Sequence, residues 1–136
     1  MRTFPLRIVT PDGLKFDSTA QSLTVRTTTG DLGILAGHIS CVAPLGMGRA
    51  TVVTESGTRH AACIGGMVSV TAEGVTLVPT TFEWADEIDS ERATRSEQRA
   101  RAVLEDKNTP SADIRIAEAR LKRALVRQSV AGGKMR

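Results

Sequence analysis

The run VTLVPTTFEWADEIDSERATRSEQRAR, residues 75–101, changes its period partway along. At its start VTLVP reads as a strand; after Trp84 the spacing becomes helical. Asp89 stands where a helix needs an N-cap, because its carboxylate can accept a hydrogen bond from the orphan N–H of residue 91 or 92. Glu91 suits the positive end of the helix dipole. The helix is expected to run to Leu104 or Glu105, so the junction divides the chain into 1–84 and 85–136.

Upstream of the junction the punctuation is that of an all-β domain. FPLRIV, LKFD and SLTVRT read as strands, the first two joined by the turn TPDG, and SLTVRT ends in TTGDLG. RATVVT, RHAACIGG, MVSVT and VTLVP follow, separated by ESGT and AEG turns. Such closely spaced turns with period-two alternation point to an antiparallel sandwich, whose two sheets bury their inner faces on each other. Gly13, Gly57 and Gly74 sit at hairpin tips, where a positive φ is cheap only without a Cβ. Gly65 and Gly66 interrupt a strand pattern, which predicts a bulge or a close backbone approach. The aromatics are only Phe4, Phe16, Phe82 and Trp84, so the core must be aliphatic.

Downstream, DKNTPS breaks the first helix, and a second follows Pro110 to about Gln128, leaving AGGKMR as a fraying tail. Ala93, Ala100, Val103 and Leu104 stripe the first helix; Ile114, Ala117, Leu121, Ala124 and Leu125 stripe the second. Small residues allow close approach, so an antiparallel hairpin is expected. With so few large side chains it should be marginal, and marginal elements make good switches.

The charge is divided along the same line. Residues 1–88 carry six Lys/Arg against eight Asp/Glu, and residues 89–136 carry twelve against seven. The second half therefore suits an acidic partner, a phosphate or a nucleic acid, or is simply a solvated helical surface. Arg92 and Arg99 lie near one face of the first helix; Arg120, Arg123 and Arg127 follow the same spacing on the second. In a folded hairpin Arg92 and Arg99 can converge with Arg123 and Arg127 into a cup of forked donors for a polyphosphate. Extended helices would instead offer a basic strip to an acidic surface or to nucleic acid. A nucleic-acid-binding module is the alternative reading of this half; scarce aromatics argue against base stacking.

Other chemistries find no support. Cys41 and Cys63 form no CxxC and have no nearby His pair, so neither zinc nor a disulfide framework is indicated, and free thiols in a reducing compartment are expected. His38 and His60 belong to no nucleophile–base or metal motif, and GDLGILAGH has no GK[ST] and precedes no helix, unlike a Walker A loop. Catalysis by this chain alone is not expected, nor is a metal site. The N-terminus lacks the apolar run of a signal peptide and no segment is apolar enough to span a bilayer, so a soluble protein is expected.

IVTPDGLKFD, VRTTTGDLGILAGH, IGGMVSV and ADEIDSERA occur in an order that closely resembles the ε subunit of rotary F-type ATP synthases across essentially the whole chain. GDLGILAGH is the most specific piece, and EIDSERA resembles that family's [IL]DxxRA nucleotide motif. The resemblance implies a ten-stranded sandwich that docks on the gamma subunit and the membrane c-ring. It also implies a helical hairpin that lies compact or extends towards the catalytic beta subunits to impede ATP hydrolysis, with bound ATP favouring the compact state. No cofactor is required; regulatory ATP is the implied ligand. The implied location is peripheral, on the cytoplasmic face of a bacterial plasma membrane. Ile88, Asp89, Arg92 and Ala93 match the nucleotide motif, and Glu83, Arg99, Arg123 and Arg127 stand at corresponding positions. Structural roles compete with these: Ile88 as junction anchor, Asp89 as cap, Ala93 as packing residue. The sequence departs from the family at HISC, where Ala-Pro is common after the loop histidine, and at Trp84.

Overall fold

The computed structural model describes residues 2–132; most of the expected fraying tail, residues 133–136, lies outside them. Ten strands come first: β1 (Phe4–Thr10), β2 (Gly13–Ala20), β3 (Ser22–Thr27), β4 (Gly30–Leu35), β5 (Cys41–Pro44), β6 (Met47–Thr54), β7 (Gly57–Ile64), β8 (Met67–Thr71), β9 (Gly74–Val78) and β10 (Thr81–Trp84). A 3-10 turn (Ala85–Glu87) leads to α1 (Ser90–Glu105) and α2 (Ser111–Ala131). The chain forms two compact units, Met1–Trp84 and Ala85–Arg136.

The strands form two five-stranded sheets, ordered β2-β1-β9-β8-β5 and β10-β7-β6-β3-β4. All pairings are antiparallel except β1 with β9. Alternation decides the interior: Leu6, Ile8, Val68 and Leu77 from one sheet meet Leu23, Val25, Ile34 and Val52 from the other, all essentially inaccessible to solvent. The core is aliphatic as the composition requires, and the aromatics gather at its margin. Phe82 and Phe16 meet Trp84 edge-to-face, with centroids 4.9 Å and 6.2 Å away, and the Arg59 guanidinium lies 3.7 Å over the Trp84 ring. Because Phe16 belongs to edge strand β2 and Trp84 to edge strand β10, this cluster closes one side of the sandwich.

Four hairpins share one construction, written in the sequence as T-x-x-G. Thr10, Thr27, Thr54 and Thr71 each donate a hydroxyl hydrogen bond to the carbonyl of Gly13, Gly30, Gly57 and Gly74, at 3.2, 2.6, 3.3 and 3.3 Å. Each hydroxyl also accepts from the second turn residue's N–H. The glycines take φ between +129° and +146°, a region closed to other residues without strain. Thr10 and Thr27 are buried polar residues, and these bonds satisfy them.

Gly66 resolves the expectation of a bulge or a close approach in favour of the latter. A Cβ there would meet the Val78 carbonyl oxygen and the Pro79 Cα, so the β7–β8 connection can press against the end of β9 only as glycine. Strands β4, β5 and β10 are not among those the alternation predicts. Cys63 lies in the core, where burial pushes its thiol up to about 12, while Cys41 is only half-buried.

Candidate functional site

The helical unit begins as the sequence suggests. Asp89 has extended backbone (φ −83°, ψ 98°) and its carboxylate accepts from the Arg92 N–H at 3.1 Å, while its carbonyl accepts from the Ala93 N–H. At the far end of α1 the Thr109 hydroxyl bonds the Val103 carbonyl at 2.9 Å, and Asp106 accepts from the Asn108 N–H, which turns the chain. Pro110 occupies the N-cap position of α2 without a side-chain cap bond. α2 continues past Gln128 to Ala131, because Val130 is buried.

What holds the helices is thin. Their buried residues are Ala93 and Ala100 on α1, and Ala117, Ala124 and Val130 on α2. A polar link crosses between them: Gln128 Nε2 donates to Glu97 Oε1 at 2.8 Å, and the other Glu97 oxygen receives Arg101 Nε at 2.7 Å. These two bonds, Gln128's the larger in effect, hold the Glu97 carboxyl below its ordinary range.

The arginines sort into two groups. Arg101 is taken up by Glu97 and Arg95 lies 4.0 Å from Glu91, both within one helix, and Arg127 is also engaged. Arg92, Arg99, Arg120 and Arg123 make no ion pair or side-chain hydrogen bond among the described residues. Arg92 and Arg99 are exposed, Ile88 and Arg123 half-exposed, and Ala93 is buried in the packing stripe. Glu83 lies on β10 of the sandwich unit, half-buried and in register with Ala62.

Between α1 and α2 runs a groove of about 800 Å³. Arg99 and Arg120 line it together with Ser96, Val103, Asp113 and Ile116, over a floor of alanines. The partner of Arg99 in this groove is therefore Arg120; Arg92, Arg123 and Arg127 do not line it. Sequence reasoning placed Arg120 on the arginine face of the second helix without assigning it to a site, and gave no role to Asp113. The signal was available: Ala100 and Ala117 mark the seam, and Arg99 and Arg120 flank it. The histidines contribute nothing here. His60 hydrogen-bonds Thr51 at 3.0 Å on the sandwich, and burial, then the Arg49 charge, hold it below its usual value.

A ten-stranded sandwich followed by a thinly packed helical hairpin is a fold that defines a class of protein. Two family models agree: the ATP synthase delta/epsilon chain β-sandwich domain matches residues 3–85 and the delta/epsilon long alpha-helix domain matches residues 86–132. The chain belongs to the ATP synthase delta/epsilon family, and within it to the epsilon chains of the bacterial type. It is 42% identical to the ATP synthase epsilon chain of Bacillus pumilus over 97% of this chain and 99% of that one, and 43% identical to that of Bacillus subtilis over the same shares. Among solved structures it resembles a chain of the Euglena gracilis mitochondrial ATP synthase with a TM-score of 0.78 at 26% identity, covering 88% of this chain and 76% of that one. A chain of the Tetrahymena thermophila mitochondrial ATP synthase central stalk and c-ring shares the fold, with a TM-score of 0.64 at 14% identity over 96% and 97%. The chain is thus a non-catalytic subunit of a membrane-associated complex. No helix of the described residues is long and apolar enough to cross a membrane.

Proposed function

We propose that this chain couples rotation to ATP synthesis as the epsilon subunit of the ATP synthase central stalk, and that its C-terminal helices restrain ATP hydrolysis in response to ATP. In this reading the sandwich seats on the gamma subunit and the c-ring, at the cytoplasmic face of a bacterial plasma membrane. The helices serve two alternative partners: acidic segments of the catalytic beta subunits when extended, and a nucleoside triphosphate when compact. Ile88, Asp89, Arg92, Ala93, Arg99, Arg123 and Arg127, with Glu83, are the residues proposed to bind ATP.

The observation that carries this reading is the composition of the hairpin's seam, alanines and one valine against the sandwich's leucines and isoleucines. So little apolar area separates the compact from an undocked state by only a small free energy. A ligand at a hundred times its Kd, binding the compact form alone, stabilises it by about 2.7 kcal/mol, enough to bias such an element. Asp89 retains its capping bond in either role, and the guanidinium groups of Arg92, Arg99 and Arg123, without an ion pair or side-chain hydrogen bond among the described residues, supply charge-assisted donors for phosphates.

The test is hydrolysis by the assembled complex carrying either the full chain or one ending at Trp84. Removal of the helices is expected to raise ATP hydrolysis while the sandwich remains bound to the rotor. Equal rates with both chains would refute the regulatory reading, and failure of the shortened chain to assemble would refute docking through the sandwich.

A further inference from the structure

On the sandwich, the N-terminal segment, the β4–β5 connection and the β8–β9 turn border a cavity of about 240 Å³, lined in part by Arg2, Thr3, Leu35, Gly37, His38 and Thr71. Arg2 packs there on a glycine. A Cβ at Gly37 (φ +85°) would stand 3.3 Å from Arg2 Nη2, 3.6 Å from Nη1 and 3.8 Å from Cζ, so the guanidinium lies against bare backbone. Arg2 has neither ion pair nor side-chain hydrogen bond among the described residues, and no carboxylate is among the residues that line the cavity. The β3–β4 hairpin shows the ordinary arrangement instead, with Arg26 met by Asp31 at 3.3 Å. His38 is oriented by its own loop: Nδ1 lies 2.7 Å from the Ile39 carbonyl oxygen, which can only accept, so Nδ1 carries a proton and Nε2 is the ring's remaining polar atom. The same stretch of chain exposes large apolar side chains, Leu35, Ile39 and Val42, at 61%, 71% and 65% accessibility.

We propose that this part of the sandwich touches the membrane surface itself, Arg2 and His38 taking the phosphate of an anionic phospholipid headgroup while Leu35, Ile39 and Val42 enter the interfacial layer. The inference rests on the peripheral membrane location proposed above and adds a direct contact with lipid to the seat on the rotor. Charge, size and polarity select this occupant together. A forked donor without a carboxylate beside it suits a phosphate. The cavity is smaller than the roughly 300–1,000 Å³ of sites for drug-sized ligands, so it suits a headgroup rather than a whole nucleotide. Free inorganic phosphate gains nothing from Ile39 and Val42, whereas a cation beside exposed aliphatic side chains is the composition of an interfacial anchor. One arginine and three aliphatic side chains make a weak contact alone. In a membrane-associated complex the lipid is already at high effective concentration, so a weak contact is occupied.

The experiment is co-sedimentation of the full chain at low salt with vesicles of phosphatidylcholine alone and of phosphatidylcholine containing phosphatidylglycerol. Wild type, Arg2→Gln, Ile39→Asn and Arg115→Gln are compared, the last removing the same charge from an exposed position on α2. The wild type is expected to bind the anionic vesicles and not the neutral ones. Arg2→Gln should bind about fivefold more weakly, the effect of one cation near an anionic surface. Ile39→Asn should also bind more weakly, and Arg115→Gln should stay within about twofold of the wild type. Equal losses in Arg2→Gln and Arg115→Gln would show that net charge alone holds the chain to the vesicle, and would overturn the site. Undiminished binding by Ile39→Asn would overturn the interfacial contact. Backbone amide shifts at Gly37 and His38 on titration with inorganic phosphate, without vesicle binding, would give the cavity to free phosphate and overturn the lipid assignment. A wild-type chain that binds neither vesicle would overturn the proposal while leaving docking on the rotor, which assembly of the complex tests separately.

Discussion

The sandwich and the hairpin are made from one chain by opposite means. In the sandwich, side chains such as Leu6, Ile8, Leu23 and Leu77 are removed almost completely from water, each contributing about 1.5–3 kcal/mol of gross burial. In the hairpin the buried set is four alanines and Val130, and much of the remaining cohesion is polar and exposed. Arg92, Arg99, Arg120 and Arg123, which have no ion pair or side-chain hydrogen bond among the described residues, all lie in the weaker region, on α1 and α2. Dense and thin packing are thereby divided at Trp84.

The largest expected effect breaks the stronger side of this comparison. Leu77→Ala should cost the sandwich about 2–5 kcal/mol, the range for emptying a well-packed aliphatic site. Trp84 is the only tryptophan and is buried in the sandwich, so its fluorescence reports that unit while far-ultraviolet dichroism at 222 nm follows the helices. The fluorescence melt should drop and the helical melt should stay. A single shared transition that moves as a whole would show that the two regions do not differ in the way argued.

A smaller effect sharpens the weaker side. Asp89→Ala removes the bond to the Arg92 N–H and should cost about 1 kcal/mol of helix stability, seen as lost ellipticity with the Trp84 melt unchanged. Asn caps as well as Asp, so Asp89→Asn should restore helicity. If ATP binding is also restored, Asp89 acts on the ligand only through the helix; if it is not, the carboxylate itself meets the ligand.

Much of this was legible beforehand because local chemistry and global fold agree. The T-x-x-G turns and the alternation of MVSVT and VTLVP mark hairpins whose registers the structure repeats. The missed strands lacked the alternation. β4 opens at the Thr27–Gly30 turn but contains Gly33 and buries only Ile34, β5 is four residues ending in Pro44, and β10 is equally short and directly precedes the helical segment in sequence. Their pairing is fixed by neighbours distant in sequence, β8 for β5 and β7 for β10.

The arginines were half legible. Four residues before Arg95 and Arg101 stand Glu91 and Glu97, so those two pairs follow from helical spacing alone. Arg99 and Arg120 have Arg95 and Ile116 at that offset; Arg92 has Ile88 there, and the Asp89 carboxylate three residues before it is taken up as the helix cap. Asp113 carried no such signal, since a carboxylate in the first turn of a helix is explained by the helix dipole, and only the structure shows that it also lines the groove.

The smallest expected effect concerns pH and returns to the Gln128–Glu97 link across the hairpin. Glu97 is held below its ordinary value of 4.5 by the Gln128 amide first and Arg101 second. A carboxyl depressed by folding binds fewer protons in the folded state than in the unfolded state between the two midpoints. Its contribution is therefore complete above the ordinary carboxylate range and is lost as pH falls through the depressed folded midpoint. Acid should loosen the hairpin through this group, and Gln128→Leu should flatten that part of the pH dependence while leaving the part due to Arg101. Carbon-13 titration of the Glu97 carboxyl checks it directly: a midpoint below 4.5 in the wild type that moves upward in Gln128→Leu is expected. An unperturbed midpoint in both would mean that neither the 2.8 Å bond from Gln128 nor the contact with Arg101 is maintained in solution, and that Glu97 adds nothing to the packing of α1 on α2.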